Sequence, residues 1–338
     1  MTTSKELVSQ AIHREEVDRV PFCPPFQGFW ALANAGVKTI DSINNPEMAA
    51  KVQFEAIDAT AMDSVQVLWD WLFPIEAMGC KVKIPEFGTI GTVSHVINST
   101  EDAENLEIPD FRKFYRCASA FKSADILIDR YGKDHYTIAA IPGPFTIAGE
   151  LRGVETLLYD CMMDPESVEV VMKKALEIGK VLLEMYSELD VDAINVGDPT
   201  TSGDMMCPED FDRFSKKNLI EYGKIIKGSG KDFIIHMCGD TNDRLDRIAD
   251  TGCDAFSGDT MVDMPKAIEK VGDRIALIGN LNPSGLVYRG TPDEVREASL
   301  SLIKSCGKKG YLLGAGCEVP IGTSIDNLKA MYQATTMY

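Results

Sequence analysis

The sequence predicts an α/β protein built as a (β/α)8 TIM barrel, and three observations carry that expectation. Short apolar runs that close on Gly, Pro, Asp or Asn alternate with longer stretches of helical period. Eight such runs are spread along 338 residues, a length that one barrel with loop insertions uses. No Pro/Ser-rich linker or internal repeat divides the chain, so residues 1–338 are expected to form one domain. A doubly wound open sheet has the same strand and helix alternation and is the competing architecture.

In order, an N-terminal extension with a charged amphipathic stretch precedes the first strand candidate, 20–24, and 64–68 is the second. The Gly-rich segment 84–99 (IPEFGTIGTVSHVINS) then breaks the alternation and reads as a β-hairpin inserted at the barrel mouth. Strand candidates 136–143 and 193–199 flank a helix over 165–189, whose Val168, Val171, Met172, Leu176, Ile178, Val181 and Leu182 recur at helical spacing. A helix over 208–226 opens on Pro208, which suits a first helical turn. The runs 233–239, 255–260, 275–282 and 311–319 complete the eight.

Composition excludes several functions. The chain has 34 Lys and Arg against 52 Asp and Glu, a formal charge of −18, so its surface repels nucleic acid and anionic lipid. It has no uncharged apolar run of roughly 18 residues and no apolar signal segment at its start, which predicts a cytoplasmic protein. In that compartment its nine cysteines are reduced thiols, and most are expected to act as small core hydrophobes. The dinucleotide fingerprint Gly-x-Gly-x-x-Gly, the phosphate loop and the Gly-x-Ser-x-Gly elbow are all missing.

In a barrel the reactive groups stand at the C-terminal strand ends. One end reads His236-Met237-Cys238-Gly239, and residues two apart on a strand share a face, so His236 and Cys238 form a corner for a metal. Another reads Gly314-Ala315-Gly316-Cys317-Glu318, where Cys317 can join them. One His and two Cys suit Zn2+ with an open fourth position; the alternative is a hydrogen-bonded core histidine beside buried thiols. Asp198, Asp259 and Asn280 lie at further strand ends, as a fourth ligand, proton donor or partner of His236, or as helix caps and turns. Glu318 should turn away from the metal by alternation. The aromatics Phe26, Trp30 and Trp69, with Phe29, Trp71 and Phe73 near them, are either packing or a stacking wall for a flat substrate or a corrin ring. His13, His95 and His135 have no acid or thiol at an interpretable spacing.

These residues resemble the uroporphyrinogen decarboxylase superfamily, and within it the corrinoid-linked methyltransferase branch. The resemblance runs through 16–21 (EVDRVP), 76–80 (EAMGC), 143–146 (GPFT), Asp198-Pro199, 235–239 (IHMCG), Gly279-Asn280, Gly316-Cys317 and 323–330 (TSIDNLKA). It implies a TIM barrel whose His236, Cys238 and Cys317 hold catalytic zinc. The metal-free decarboxylases carry an arginine-rich N-terminal signature that 21–30 lacks. The branch implies a methyl transfer between a small substrate and the cobalamin of a separate corrinoid protein, because this chain has no Asp-x-His-x-x-Gly corrinoid-ligating motif. The expected direction is demethylation of an aryl methyl ether, with methylation of a thiol such as coenzyme M as the alternative. A non-catalytic docking scaffold and a homodimer also stay open.

Overall fold

The computed structural model describes residues 2–338. Its strands are β1 (Ser64–Leu68), β2 (Val82–Lys83), β3 (Gly91–Thr92), β4 (Tyr136–Pro142), β5 (Ala193–Gly197), β6 (Asp232–Met237), β7 (Ala255–Gly258), β8 (Ala276–Ile278) and β9 (Tyr311–Leu312). Seven of them form one parallel sheet in the order β1-β4-β5-β6-β7-β8-β9, with helices in the crossovers, the arrangement of a TIM-barrel-like α/β fold.

The segment expected as the first strand, 20–24, is reduced to a single bridge between Phe22 and Leu313. It nevertheless lies between the two edges of the sheet. Cys23 N donates to Leu313 O and Leu313 N to Pro21 O on one side, and Asp63 N donates to Phe22 O on the other. Pro21, Pro24 and Pro25 lack N–H groups, so a regular ladder cannot form here.

Strand alternation sorts the core into two. Tyr136, Ile138, Ala193, Ile234, Ala255, Ala276, Ile278 and Leu312 point inward, and Leu7, Val8, Ala11 and Ile12 of the helix Ser4–Ile12 pack into the same cluster. That helix therefore plugs the N-terminal end of the sheet. A capping box between Thr3 and Glu6 starts it, and Lys5 N donates to Asp134 O just before β4. The outward strand residues, Val65, Val67, Ile141, Val196 and Ile235 among them, pack against the surrounding helices.

The long helix spans Pro165–Ser187, two residues short of expectation. The helix expected over 208–226 runs from Pro208 to Gly228, and Phe211–Lys216 within it are wound as a π-helix. The hairpin is offset from 84–99: its strands are Val82–Lys83 and Gly91–Thr92, and 84–90 is the connection. The chain resumes strand only at Tyr136, because 93–99 lead into a helix at Thr100–Asn105 capped by Ser99. Among the described residues, no helix is long and apolar enough to cross a membrane.

Candidate metal centre

Inward alternation on β6 carries Ile234 into the core cluster and puts His236 and then Cys238 at the open end of the same face. Past the strand, Gly239 turns the chain in the left-handed region, at φ +76°, and its N–H donates to Asp259 Oδ2 at 2.8 Å. Asp259 thus fixes the turn that aims the Cys238 thiol. Cys317 arrives from the far side of the sheet, after the Leu281–Ala315 bridge.

The three side chains meet. Nε2 of His236 is 3.5 Å from Cys238 Sγ, the two sulfurs are 3.6 Å apart, and all three ligand atoms lie within 4.8 Å of one another. Zinc bonded tetrahedrally at about 2.3 Å to sulfur and 2.0–2.1 Å to nitrogen would space the sulfurs about 3.8 Å apart and nitrogen from sulfur about 3.6 Å. The two edges that meet at Cys238 fit that ion. The electronic state of the triangle fits too. His236 Nδ1 lies 3.1 Å from both the carbonyl and the hydroxyl of Ser257; the carbonyl accepts only, so Nδ1 carries the proton and Nε2 keeps its lone pair. A hydrogen bond shared with Cys317, together with burial, holds the Cys238 thiol far above its ordinary range, and the same bond draws Cys317 well down toward thiolate. Loss of one proton from the pair is favoured, which is the direction a cation needs.

A cavity of about 90 Å³ opens onto this triangle. Phe26, Phe29, Trp69 and Trp71 are its aromatic walls, Gly28, Gly197 and Pro199 its narrow sides, and Gln66, Thr89 and Glu318 its polar lining. The Phe26 ring stands edge-on to the His236 ring, with centroids 4.9 Å apart and planes at 72°. Thr89, from the hairpin connection, donates to Glu318 Oε2 at 3.0 Å. Burial pushes the Glu318 carboxyl up to about 7, against the pull of that hydroxyl. Glu318 therefore faces the cavity, although strand alternation predicted otherwise: the chain past Cys317 is loop.

The other expected site residues divide. Trp69 and Phe26 line the cavity, whereas Trp30 is fully buried away from it, with Nε1 donating to Thr323 O at 2.9 Å. Asp198 lies buried behind the wall, not in it. Its carboxylate accepts from Thr146 N and Oγ1 and from Ser215 Oγ of the π-helical stretch, and burial pushes it up to about 6 against those donors. Asn280 ties two loops together, donating to Asp259 O and Val262 O, both at 2.7 Å. No acid holds His236; Ser257, which sequence reading passed over, does. Gln66 and Thr89 were also passed over. Gln66 had one signal: it is the amide in an otherwise apolar strand, SVQVL.

Gly28 sets how close the helix Gly28–Asn34 comes to the wall, because a Cβ there would overlap Cβ and Cγ of Trp69. Those atoms sit next to the backbone and cannot swing aside. Gly28→Ala is expected to lower stability by about 1–3 kcal/mol and to move the indole. Thermal unfolding and the Trp emission spectrum check this; an unchanged spectrum at unchanged stability would contradict it.

A curled parallel sheet with a His/Cys/Cys triangle at its C-terminal strand ends defines a TIM-barrel-like protein with a candidate metal centre. The uroporphyrinogen decarboxylase (URO-D) family pattern matches residues 3–338, and the chain belongs to that family. It is 27% identical over 353 aligned residues to the methylcobamide:CoM methyltransferase MtbA of Methanosarcina acetivorans, covering 99% of this chain and 98% of that one. It is 26% identical to a uroporphyrinogen decarboxylase of Chlorobium phaeobacteroides, covering 97% and 96%. A methyltransferase structure from Methanosarcina mazei superposes with a TM-score of 0.90 at 23% identity, over 100% of this chain and 99% of that one. Overall identity does not separate the two activities, so the site has to.

Proposed function

We propose that the chain, as one (β/α)8 barrel domain, is a zinc methyltransferase exchanging a methyl group between a small substrate and the cobalamin of a separate corrinoid protein, running as the demethylase of a small aryl methyl ether. The observation that carries this reading is an aromatic cavity that opens directly onto the His236, Cys238 and Cys317 triangle and whose lining includes no Lys or Arg. Bound zinc would supply Lewis acidity at the heteroatom that bears the methyl group. His236, Cys238 and Cys317 would hold that ion, with Ser257 fixing the imidazole tautomer. Phe26, Phe29, Trp69 and Trp71 clamp the ring and keep water off it. A reduced corrinoid would supply the electron pair that takes up the methyl group, and the pair of the methyl carbon–oxygen bond would stay on the oxygen that the triangle faces.

Tetrapyrrole decarboxylation is poorly served by this site. Its one ionisable lining side chain besides the triangle is the carboxyl of Glu318, so it offers no cation to the carboxylates of a tetrapyrrole.

A second reading, methyl transfer from cobalamin to a thiol, is favoured by the activity of the Methanosarcina methylcobamide:CoM methyltransferases and by two thiolate ligands, which weaken zinc as a Lewis acid. Coenzyme M itself carries a sulfonate, for which the lining offers no cation. Cobalamin absorbance separates the readings. With free or protein-bound reduced cobalamin, formation of methylcobalamin from a methoxyarene supports demethylation; loss of methylcobalamin upon thiol addition alone would establish the reverse.

A further inference from the structure

Asp198 is fully buried behind the cavity wall, and three donors from two helical segments converge on its carboxylate. Oδ1 accepts from Thr146 N at 2.7 Å and from Thr146 Oγ1 at 2.8 Å, in the first turn of the helix Pro144–Arg152. Oδ2 accepts from Ser215 Oγ at 2.9 Å, and Ser215 stands in the π-helical stretch Phe211–Lys216, an uncommon winding that recurs at functional sites. Gly143 leaves the space, since a Cβ there would lie 2.5 Å from Asp198 Cγ. So fastened, Asp198 has one backbone setting, φ −128° and ψ 60°. That setting reaches the metal centre. Asp198 N–H donates to His236 O at 2.9 Å, just past the pairing of Gly197 on β5 with His236 on β6.

We propose that Asp198 is a positioning residue of the metal centre: as a hydrogen-bond acceptor it anchors the main chain that carries His236, and it neither ligates the ion nor moves a proton. Ser257 fixes the imidazole ring, and Asp198 fixes the backbone beneath it. The carboxylate is spent on Thr146 and Ser215, and the residue is not among those lining the cavity, so it meets neither the ion nor a bound ring. Outer partners of metal-binding side chains change metal affinity by about 10–100-fold without touching the ion. The inference rests on the metal-centre reading and is independent of the direction of methyl transfer.

The test is binding of zinc and of cobalt(II) to the full chain, read by competition with a chelator and by the visible bands of cobalt(II), whose positions report coordination geometry. Asp198→Ala is expected to weaken both ions by about 10-fold or more and to shift the cobalt bands. Ser215→Ala removes one of the three donors and should act in the same direction to a smaller extent; it serves if Asp198→Ala does not fold. Asp198→Asn should stay within about 2-fold of the parent with unshifted bands, because its amide oxygen accepts from Thr146 and its NH2 donates to Ser215 Oγ. Thermal unfolding of each variant is the control. Parent affinity and parent bands in the Ala variants, whatever their stability, overturn the inference, since a merely structural residue would give that result. Metal loss in Asp198→Asn as large as in Asp198→Ala overturns it too, because the charge would then be what counts. A parent chain that takes up neither ion rejects the metal centre itself, and the inference falls with it.

Discussion

Cys238→Ser and Cys317→Ser are each expected to bring bound zinc from near one equivalent to a small fraction of it and to lower methyl transfer by on the order of 100-fold or more. Ligand softness and charge set the size of the effect. A serine hydroxyl stays protonated at neutral pH and binds zinc poorly, whereas the thiol pair has already been drawn toward losing one proton by its own hydrogen bond. The effect on the fold should be slight by comparison, since both residues sit at loop ends and the barrel core lies below them among Ile234, Ala255 and Leu312. Metal analysis of purified variants, with unfolding curves as the control, checks this. Full activity in a variant stripped of metal would refute the metal centre outright, and a variant that keeps its zinc while losing activity would move the thiols from ligands to substrate contacts.

Some of this site could be read in the sequence, and the reasons are specific. His236 and Cys238 were legible because a strand has a period of two and the apolar run before them is long. Cys317 was legible as a strand-end residue, although only Tyr311–Leu312 of its run are strand. What alternation could not give was everything past a strand end. Glu318 faces the cavity because the chain there is a loop. Trp30 and Trp69 read alike in sequence, yet a helix turn sends one to Thr323 O and a strand end leaves the other at the cavity. Asp198 and Asn280 attracted attention as polar strand-end residues and both spend their hydrogen bonds on backbone and hydroxyls that hold loops in place. In the fold, the segment 20–24 has the apolar pattern of a strand, but its prolines leave too few donors for a ladder.

Arg116→Met should lower stability by about 3–5 kcal/mol. Arg116, on the helix Tyr115–Tyr131, is fully buried; its Nε and Nη2 bind the two carboxylate oxygens of Asp70 at 2.9 and 2.5 Å, and its Nη1 binds Glu76 at 2.7 Å. Asp70 lies between Trp69 and Trp71, so this fork also pins the aromatic wall and its loss should weaken ring binding. Met fills similar volume, so the loss comes from an uncompensated buried carboxylate. Burial already raises the Asp70 carboxyl above its ordinary value in spite of the pull of Arg116. Without that pull it rises further, and the native variant binds a proton that the unfolded chain releases at the ordinary carboxylate value. Stability therefore falls as pH rises through that window, and the variant should regain part of its loss on acidification from about pH 8 to pH 5. Asp70→Leu combined with Arg116→Met should recover most of the stability at pH 8, since the pair is then replaced by apolar side chains. Urea unfolding of the wild type, both single variants and the double variant at the two pH values measures this. A loss under about 1 kcal/mol, or a loss independent of pH, would show that the fork does not hold the wall.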